Sequence, residues 1–418
     1  MGVRDEGRAA QSGGMGRTAV GVLSVTVLLL AGCAGGETEA PAPSAPVPGS
    51  VEAGLATEAA APAPAATPTP TPRTTQAPEP TATPRFAASG MPDVAAAADV
   101  VTDLQVPWDL AFLPDGSALT TLRDEARVVR VGADGTTTPV RADGEDGRVA
   151  GVVPGGEGGL LGITTDATAT SVFVYLSGAD DNRVVRYAWD PAASTLTAPV
   201  TVLTGIPRSQ VHNGGRIDLG PDGMLYVATG DARDTEAAPD PDSLAGKILR
   251  VTTDGRPAPG NPDPASPVWS RGHRNVQGLG WSADGTMWAS EFGQDTFDEL
   301  NVIRPGADYG WPQVEGAGGV EGLTDPVVTW QTDQASPSGI TVTDDAVYLA
   351  ALRGRRLWRV PIGAGGAVTG EPAVVLDGLG RLRHVEVAPD GSLWVLTSNT
   401  FRGEPREGDD RLVRVPLG

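Results

Sequence analysis

The sequence has 418 residues, 40% of them hydrophobic and 5% aromatic, with a net charge of −21, one cysteine and three histidines. So large an acid excess excludes a phosphate-tracking basic surface, so no nucleic-acid partner is expected, and the charge reads as solubility. A single cysteine excludes an internal disulfide, and His212, His273 and His384 are too few for a multi-histidine zinc or iron centre.

In chain order, Arg17 precedes an apolar run from Ala19 to Leu30 that ends in Leu30-Ala31-Gly32-Cys33. The run is shorter than the ~20 residues that span a bilayer, and small residues precede the cysteine. This predicts a lipoprotein-type signal peptide over residues 1–32, with Met15 as an alternative start. Cleavage before Cys33 and lipidation of its thiol would leave an exported protein anchored to the membrane on the extracytoplasmic side. Residues 33–90, which include "APSAPVPGS" and "AATPTPTPRTTQAPEPTATP", lack the apolar content for a core and predict an extended tether. The folded part is expected over residues 91–418.

That part repeats itself. Six segments join two apolar-rich strands through a polar turn: "WDLAFLPDGSALTTL", "LGITTDATATSVFVYL", "RIDLGPDGMLYVATGD", "LGWSADGTMWASEFG", "SGITVTDDAVYLAAL" and "HVEVAPDGSLWVLTSN". Their turn aspartates, Asp115, Asp166, Asp222, Asp284, Asp344 and Asp390, lie 46 to 62 residues apart, and most segments are followed by a further strand such as "GKILRVTT". Strand-only repeats of that length predict an all-β, six-bladed β-propeller. "DVAAAADVVTDLQV", ahead of the first repeat, is expected to supply the strand that closes the ring.

Four constellations carry candidate chemistry. In "VHNGGRIDLGPDGMLYVATGD", His212 and Asp231 are nearly symmetric about the turn at Asp222, so a regular hairpin would set them opposite each other. Such a pair reads either as a general base with its orienting carboxylate or as a structural contact. Arg274 and Asn275, in "SRGHRNVQGLGW", follow a long loop and read either as a carbonyl-polarising pair or as surface polarity. Arg381 and Arg383 alternate on one strand face, and Arg353 lies in "AALRGRRLWR"; converging cations call for an anionic ligand, or else for surface salt bridges. The stretch Ser290–Pro312 places Glu291, Asp295, Asp298 and Glu299 among glycines, which suits a Ca²⁺ site built from hard oxygens, or a solvated acidic loop.

Taken in order from about Leu104 onward, "VPWDLAFLPDG", "EGGLLGI", "HNGGRIDLGPDGMLYVATGD", "SLAGKILRVTTDG", "GHRNVQGLGW", "EFGQDTFDELN", "YGWP", "LRGRRLWRV" and "RLRHVEVAPDGSLWVLT" resemble the soluble quinoprotein glucose dehydrogenases and aldose sugar dehydrogenases, the glucose/sorbosone dehydrogenase family. The resemblance implies a propeller that oxidises the C1 hydroxyl of aldoses to lactones with pyrroloquinoline quinone (PQQ) and Ca²⁺. It casts His212 as the base, Asp231 as its orienting group and Arg274 as the residue that polarises the quinone C5 carbonyl. Asn275, Arg353, Arg381 and Arg383 would hold PQQ, whose three carboxylates answer the converging arginines. The carbonyls of Gly293 and Gln294 would bind the catalytic Ca²⁺, with Glu299 and Tyr309 at positions of a structural calcium. Val211 replaces the acid that precedes the histidine in glucose-specific members, Glu157 replaces a glutamine at the cofactor and sugar side, Arg353 a lysine and Gln294 a proline. The first two predict a broader aldose preference. The physiological electron acceptor is unknown at this level. Two other readings are a calcium-dependent lactonase, which would need no arginine cluster, and a non-catalytic surface-binding propeller, which would need no His–Asp pair.

Overall fold

The structure is a computed structural model, and it describes residues 86–418. The expected signal peptide, the lipidated Cys33 and most of the expected tether lie outside the described residues.

Six four-stranded antiparallel sheets are arranged as a β-propeller. The innermost strands are Pro107–Phe112, Leu160–Thr165, Ile217–Leu219, Val276–Trp281, Pro337–Val342 and Leu382–Val387, which we number as blades one to six. Each is rich in β-branched, aromatic or small residues, and nearly every position on it is buried. Sheet packs on sheet, so the core is divided into six apolar wedges, one between each pair of neighbouring blades. Tyr175, Ile217 and Val227, for example, meet between blades two and three.

Ala98–Val101 does close the ring: it pairs with Leu412–Val415, so the last blade is built from both ends of the described chain. Pairing the termini within one sheet removes the free edges that an open array would present. The six turn aspartates fall between the first and second strands of their blades. In five of the six the carboxylate accepts the backbone N–H two residues on, at 3.0 to 3.1 Å. A fourth, outer strand completes blades one to five, over Thr137–Val140, Thr195–Ile206, Val268–Arg271, Val328–Gln331 and Ala373–Leu376. These strands are mostly exposed or half-buried and have no clean apolar alternation, which is why only three strands per blade are legible in the sequence.

The boundary of the folded part also moves. Residues 86–90, expected to belong to the tether, lie on the propeller: Phe86 packs edge-on to Phe112, and the Gly90 carbonyl accepts the Tyr348 hydroxyl at 2.6 Å. Composition favoured a linker here, but one phenylalanine inserted between blades outweighs it.

Candidate active site

At the end of the central channel where the innermost strands begin, the preceding loops enclose a cleft of about 270 Å³. It is lined by Trp108, Glu157, His212, Asn275, Gln277 and six arginines: Arg123, Arg274, Arg353, Arg381, Arg383 and Arg402. A more open pocket of about 510 Å³ adjoins it, sharing His212 and Arg274 and adding Val211, Asp231, Arg233, Gln294, Asp295 and Trp311. A narrower cavity, lined by later residues of the same inner strands, contains Asp109, Arg216 and His384.

His212 Nδ1 lies 2.8 Å from Asp231 Oδ1. The contact is not the cross-strand pair that a regular hairpin would make. Ile217 pairs with Val227, and continuing that register sets His212 opposite Ala232, whose N–H donates to the His212 carbonyl at 3.2 Å. His212 itself has φ of +57°, outside the strand, and this turn swings the ring back onto Asp231. The crossing demands glycine nearby: a Cβ on Gly230 would stand 2.0 Å from the His212 carbonyl oxygen.

Asp231 is 1% exposed. Burial alone would raise its carboxyl, but the His212 ring, the Arg233 N–H at 2.8 Å and the Trp311 indole N–H at 2.9 Å hold it below the usual carboxylate range. A carboxylate kept ionised against Nδ1 fixes the proton on that nitrogen and leaves Nε2 as the acceptor. Glu157 Oε2 accepts the His212 backbone N–H at 3.1 Å, while its other oxygen pairs with Arg402 at 2.6 Å. The histidine is therefore positioned by backbone and side chain alike.

Asn275 is buried, and its Oδ1 accepts the Gly214 N–H at 3.0 Å, tying blade four to the loop that carries His212. Arg274 stacks over Trp311 at 5.4 Å, and its backbone N–H donates to Glu291. Arg383 donates through Nη1 to Gln277 Oε1 at 2.9 Å and to Ser338 Oγ at 3.2 Å. Burial, together with the Arg123 and Arg381 charges, pushes its guanidinium far below its ordinary value. Arg381 is pushed down to about 10 by burial and by the Arg402 and Arg355 charges. Buried Nε groups of Arg274, Arg381 and Arg383 have no hydrogen-bond acceptor among the described residues. Mutually repelling guanidinium groups with unmatched donors are the donor set of an oxyanion-rich ligand, so these residues fit PQQ.

The expected Ca²⁺ positions divide. Gly293 lines the cleft and Gln294 the adjoining pocket. The N–H groups of Gln294, Asp295, Thr296 and Phe297 all donate to Glu315 Oε1, at 2.6 to 3.1 Å. Among the described residues, the Gly293 and Gln294 carbonyls accept no backbone hydrogen bond of the turns and loops, and carbonyl oxygens are what calcium takes. Glu299 and Tyr309, by contrast, are already engaged. Glu299 accepts from Gly316 N–H at 2.7 Å and Asn301 Nδ2 at 3.1 Å, and burial with the Glu291 charge pushes it up to about 8. The Tyr309 hydroxyl donates to the Val302 carbonyl at 2.7 Å. No cluster of three His, Cys, Asp or Glu side chains with metal-holding geometry occurs among the described residues.

Every candidate of the cofactor cleft and the base pair thus converges on one end of the channel. Trp108, Arg123, Gln277, Trp311 and Arg402 join them without having been anticipated. Arg402 meets Glu157 across 245 positions of sequence, and no local pattern marks such a contact. Trp108, whose ring has the Arg216 guanidinium at 4.4 Å and that of Arg383 at 5.8 Å, stands in the first strand repeat, where a large apolar residue carries no local sign of a site.

Comparison with known proteins gives the same direction. Residues 104–403 match the Glucose / Sorbosone dehydrogenase family. The PQQ-bound aldose sugar dehydrogenase of Streptomyces coelicolor is 50% identical, with a TM-score of 0.74 over 79% of this chain and 99% of that one. The aldose sugar dehydrogenase YliI of Escherichia coli is 30% identical over 71% of this chain and 88% of its own length. Quinoprotein glucose dehydrogenase B of Acinetobacter calcoaceticus is 29% identical over 52% of each.

Proposed function

The chain belongs to the glucose/sorbosone dehydrogenase family, and from that premise we propose that it oxidises aldoses at C1 to lactones, using PQQ and Ca²⁺. The observation that carries the reading is the conjunction, in one cleft, of a histidine oriented by a buried carboxylate with three partnerless buried guanidinium Nε groups.

PQQ bound in the cleft supplies a two-electron acceptor for the hydrogen on sugar C1. Arg381 and Arg383, with Arg353 at the rim, would hold its carboxylates, and Asn275 would contact it. Arg274, a half-buried cation on the cleft wall, would stabilise negative charge that develops beside it. The Gly293 and Gln294 carbonyls would hold Ca²⁺; a second cation at Glu299 and Tyr309 would have to displace existing hydrogen bonds, and no step is routed through it. His212 Nε2 takes the C1 hydroxyl proton as the C1–H bond breaks. Asp231 keeps the other ring nitrogen protonated and offsets the imidazolium charge that forms. Glu157, gripped by Arg402, keeps the His212 backbone in place. Export and membrane anchoring through Cys33, with an external electron acceptor, complete the proposal.

The test is reconstitution. Protein titrated with PQQ, with and without Ca²⁺, should show a saturable absorbance change and aldose-dependent dye reduction. Neither signal across a panel of aldoses would refute the reading.

A further inference from the structure

The open pocket in front of His212 contains one cation that the proposed reaction does not use. Arg233 lines it, is exposed, and among the described residues its guanidinium makes no ion pair and no hydrogen bond. In so acidic a chain many arginines find carboxylates: Arg250 pairs with Asp222 at 2.7 Å, Arg271 with Asp308 at 3.0 Å and Arg414 with Asp390 at 2.7 Å.

Its placement is specified. The Arg233 N–H donates to Asp231 Oδ1, the same oxygen that holds His212 Nδ1, so its backbone is in fixed register with the base. Ala232 and Arg233 both lie in the left-handed region, at φ of +51° and +69°, a costly choice for residues with a Cβ. From behind, the loop is clamped by the buried Lys247 ammonium, which donates to the carbonyls of Ala237, Ala238 and Ala245 at 2.7, 2.9 and 2.6 Å. Of the other charges in the pocket, the Arg274 cation is assigned to the proposed reaction, and the two carboxylates offer nothing to an anion. Asp231 is buried with both oxygens engaged, and Asp295, on the blade-four loop, accepts a hydrogen bond from Gln294 and repels an anion from its own wall. Val211, beside the base, offers no hydrogen bond to a neutral hydroxyl.

We propose that Arg233 selects aldoses that carry an oxyanion at the end remote from C1, a hexuronate or a sugar phosphate. The proposal rests on the aldose dehydrogenase reading above and names its substrate class. Because His212 and Arg233 line one pocket, an aldose with C1 at His212 would present its remote substituent to the Arg233 side, and a guanidinium matches a carboxylate or phosphate in a forked pair of hydrogen bonds.

The experiment compares glucose, glucuronate and glucose 6-phosphate as substrates of the PQQ- and Ca²⁺-loaded enzyme, in the wild type and in R233Q and R233K, with R256Q as a remote control for lost charge. The wild type should favour at least one anionic sugar over glucose in kcat/KM. R233Q should lower that ratio by about 10-fold or more, R233K should retain part of it, and R256Q should leave it in place. Which anionic sugar is favoured distinguishes carboxylate from phosphate recognition. As a readout without turnover, methyl β-glucuronide, whose C1 is blocked, should bind calorimetrically more tightly than methyl β-glucoside, and R233Q should erase the difference. A wild type that favours glucose, or an R233Q ratio equal to the wild type with an unchanged melting temperature, overturns the proposal. Oxidation of no aldose at all would instead overturn the dehydrogenase reading.

Discussion

Replacing Asp231 by asparagine tests the base most directly, because the shape is kept and the charge removed. Oδ1 receives two donors, the His212 ring and the Arg233 N–H, whereas Oδ2 receives only the Trp311 indole N–H. The asparagine oxygen will therefore take the Oδ1 place and its NH₂ will face Trp311, leaving one buried N–H without an acceptor, at a cost of about 1–3 kcal/mol in stability. His212 keeps its tautomer but loses an ionised partner. A charged acceptor contributes about 1.5–3 kcal/mol against about 0.5–1.5 for a neutral one, a difference of about 1–1.5 kcal/mol, so kcat for aldose oxidation should fall ~5- to 12-fold. The assay is a double-mutant cycle with H212A in sugar-dependent dye reduction at saturating PQQ and Ca²⁺. If Asp231 acts through the ring, D231N should cost little further activity once His212 is gone. Equal losses from D231N in both backgrounds, or a D231N enzyme with more than half of wild-type kcat, would refute the reasoning.

R383Q removes a buried cation from the cleft but retains a donor for Ser338, so PQQ affinity followed by absorbance should weaken at least ~10-fold, and an unchanged titration would count against the cofactor cleft. K247M deletes three ammonium–carbonyl hydrogen bonds beneath the loop after Asp231; denaturant unfolding should show a loss of about 2–4 kcal/mol, and activity should fall as the loop loosens. Asp109 is held at about 6, chiefly by burial, with the Arg216 charge opposing, against an ordinary 3.8. A carboxyl raised in the folded state weighs against folding as the pH rises from about 4 to about 6 and adds no slope above that, a change of about 3 kcal/mol. D109N should therefore show a smaller loss of unfolding free energy than the wild type between pH 4.5 and 6.5, and parallel curves would contradict the assignment.

The pairing of Arg383 with Gln277 and Ser338 shows where legibility stops. "RLRHVEV" announces two arginines on one strand face, but that they face a cleft depends on blade six closing against blades four and five. His212 and Asp231 were found through a symmetry that the backbone does not keep. Their meeting survives because the turn at His212 replaces the cross-strand geometry with another route to the same carboxylate. Phe86 passed for linker because a single aromatic among alanines carries no period.

By itself, the sequence determined what is periodic or local: six strand repeats, the aspartate turns that separate their strands, and the residue types available for acid–base and anion chemistry. Alternation and turn chemistry act over a few residues, so they are written where they operate. The tertiary structure alone decided which of those residues share a volume. Ring closure by Ala98–Val101, the Glu157–Arg402 bridge, the Trp311 bond to Asp231 and the unpaired Arg233 in front of the base all arise from loops of different blades brought to one end of a channel. Contacts across such sequence separations depend on how six apolar wedges pack, and that packing is a property of the whole ring.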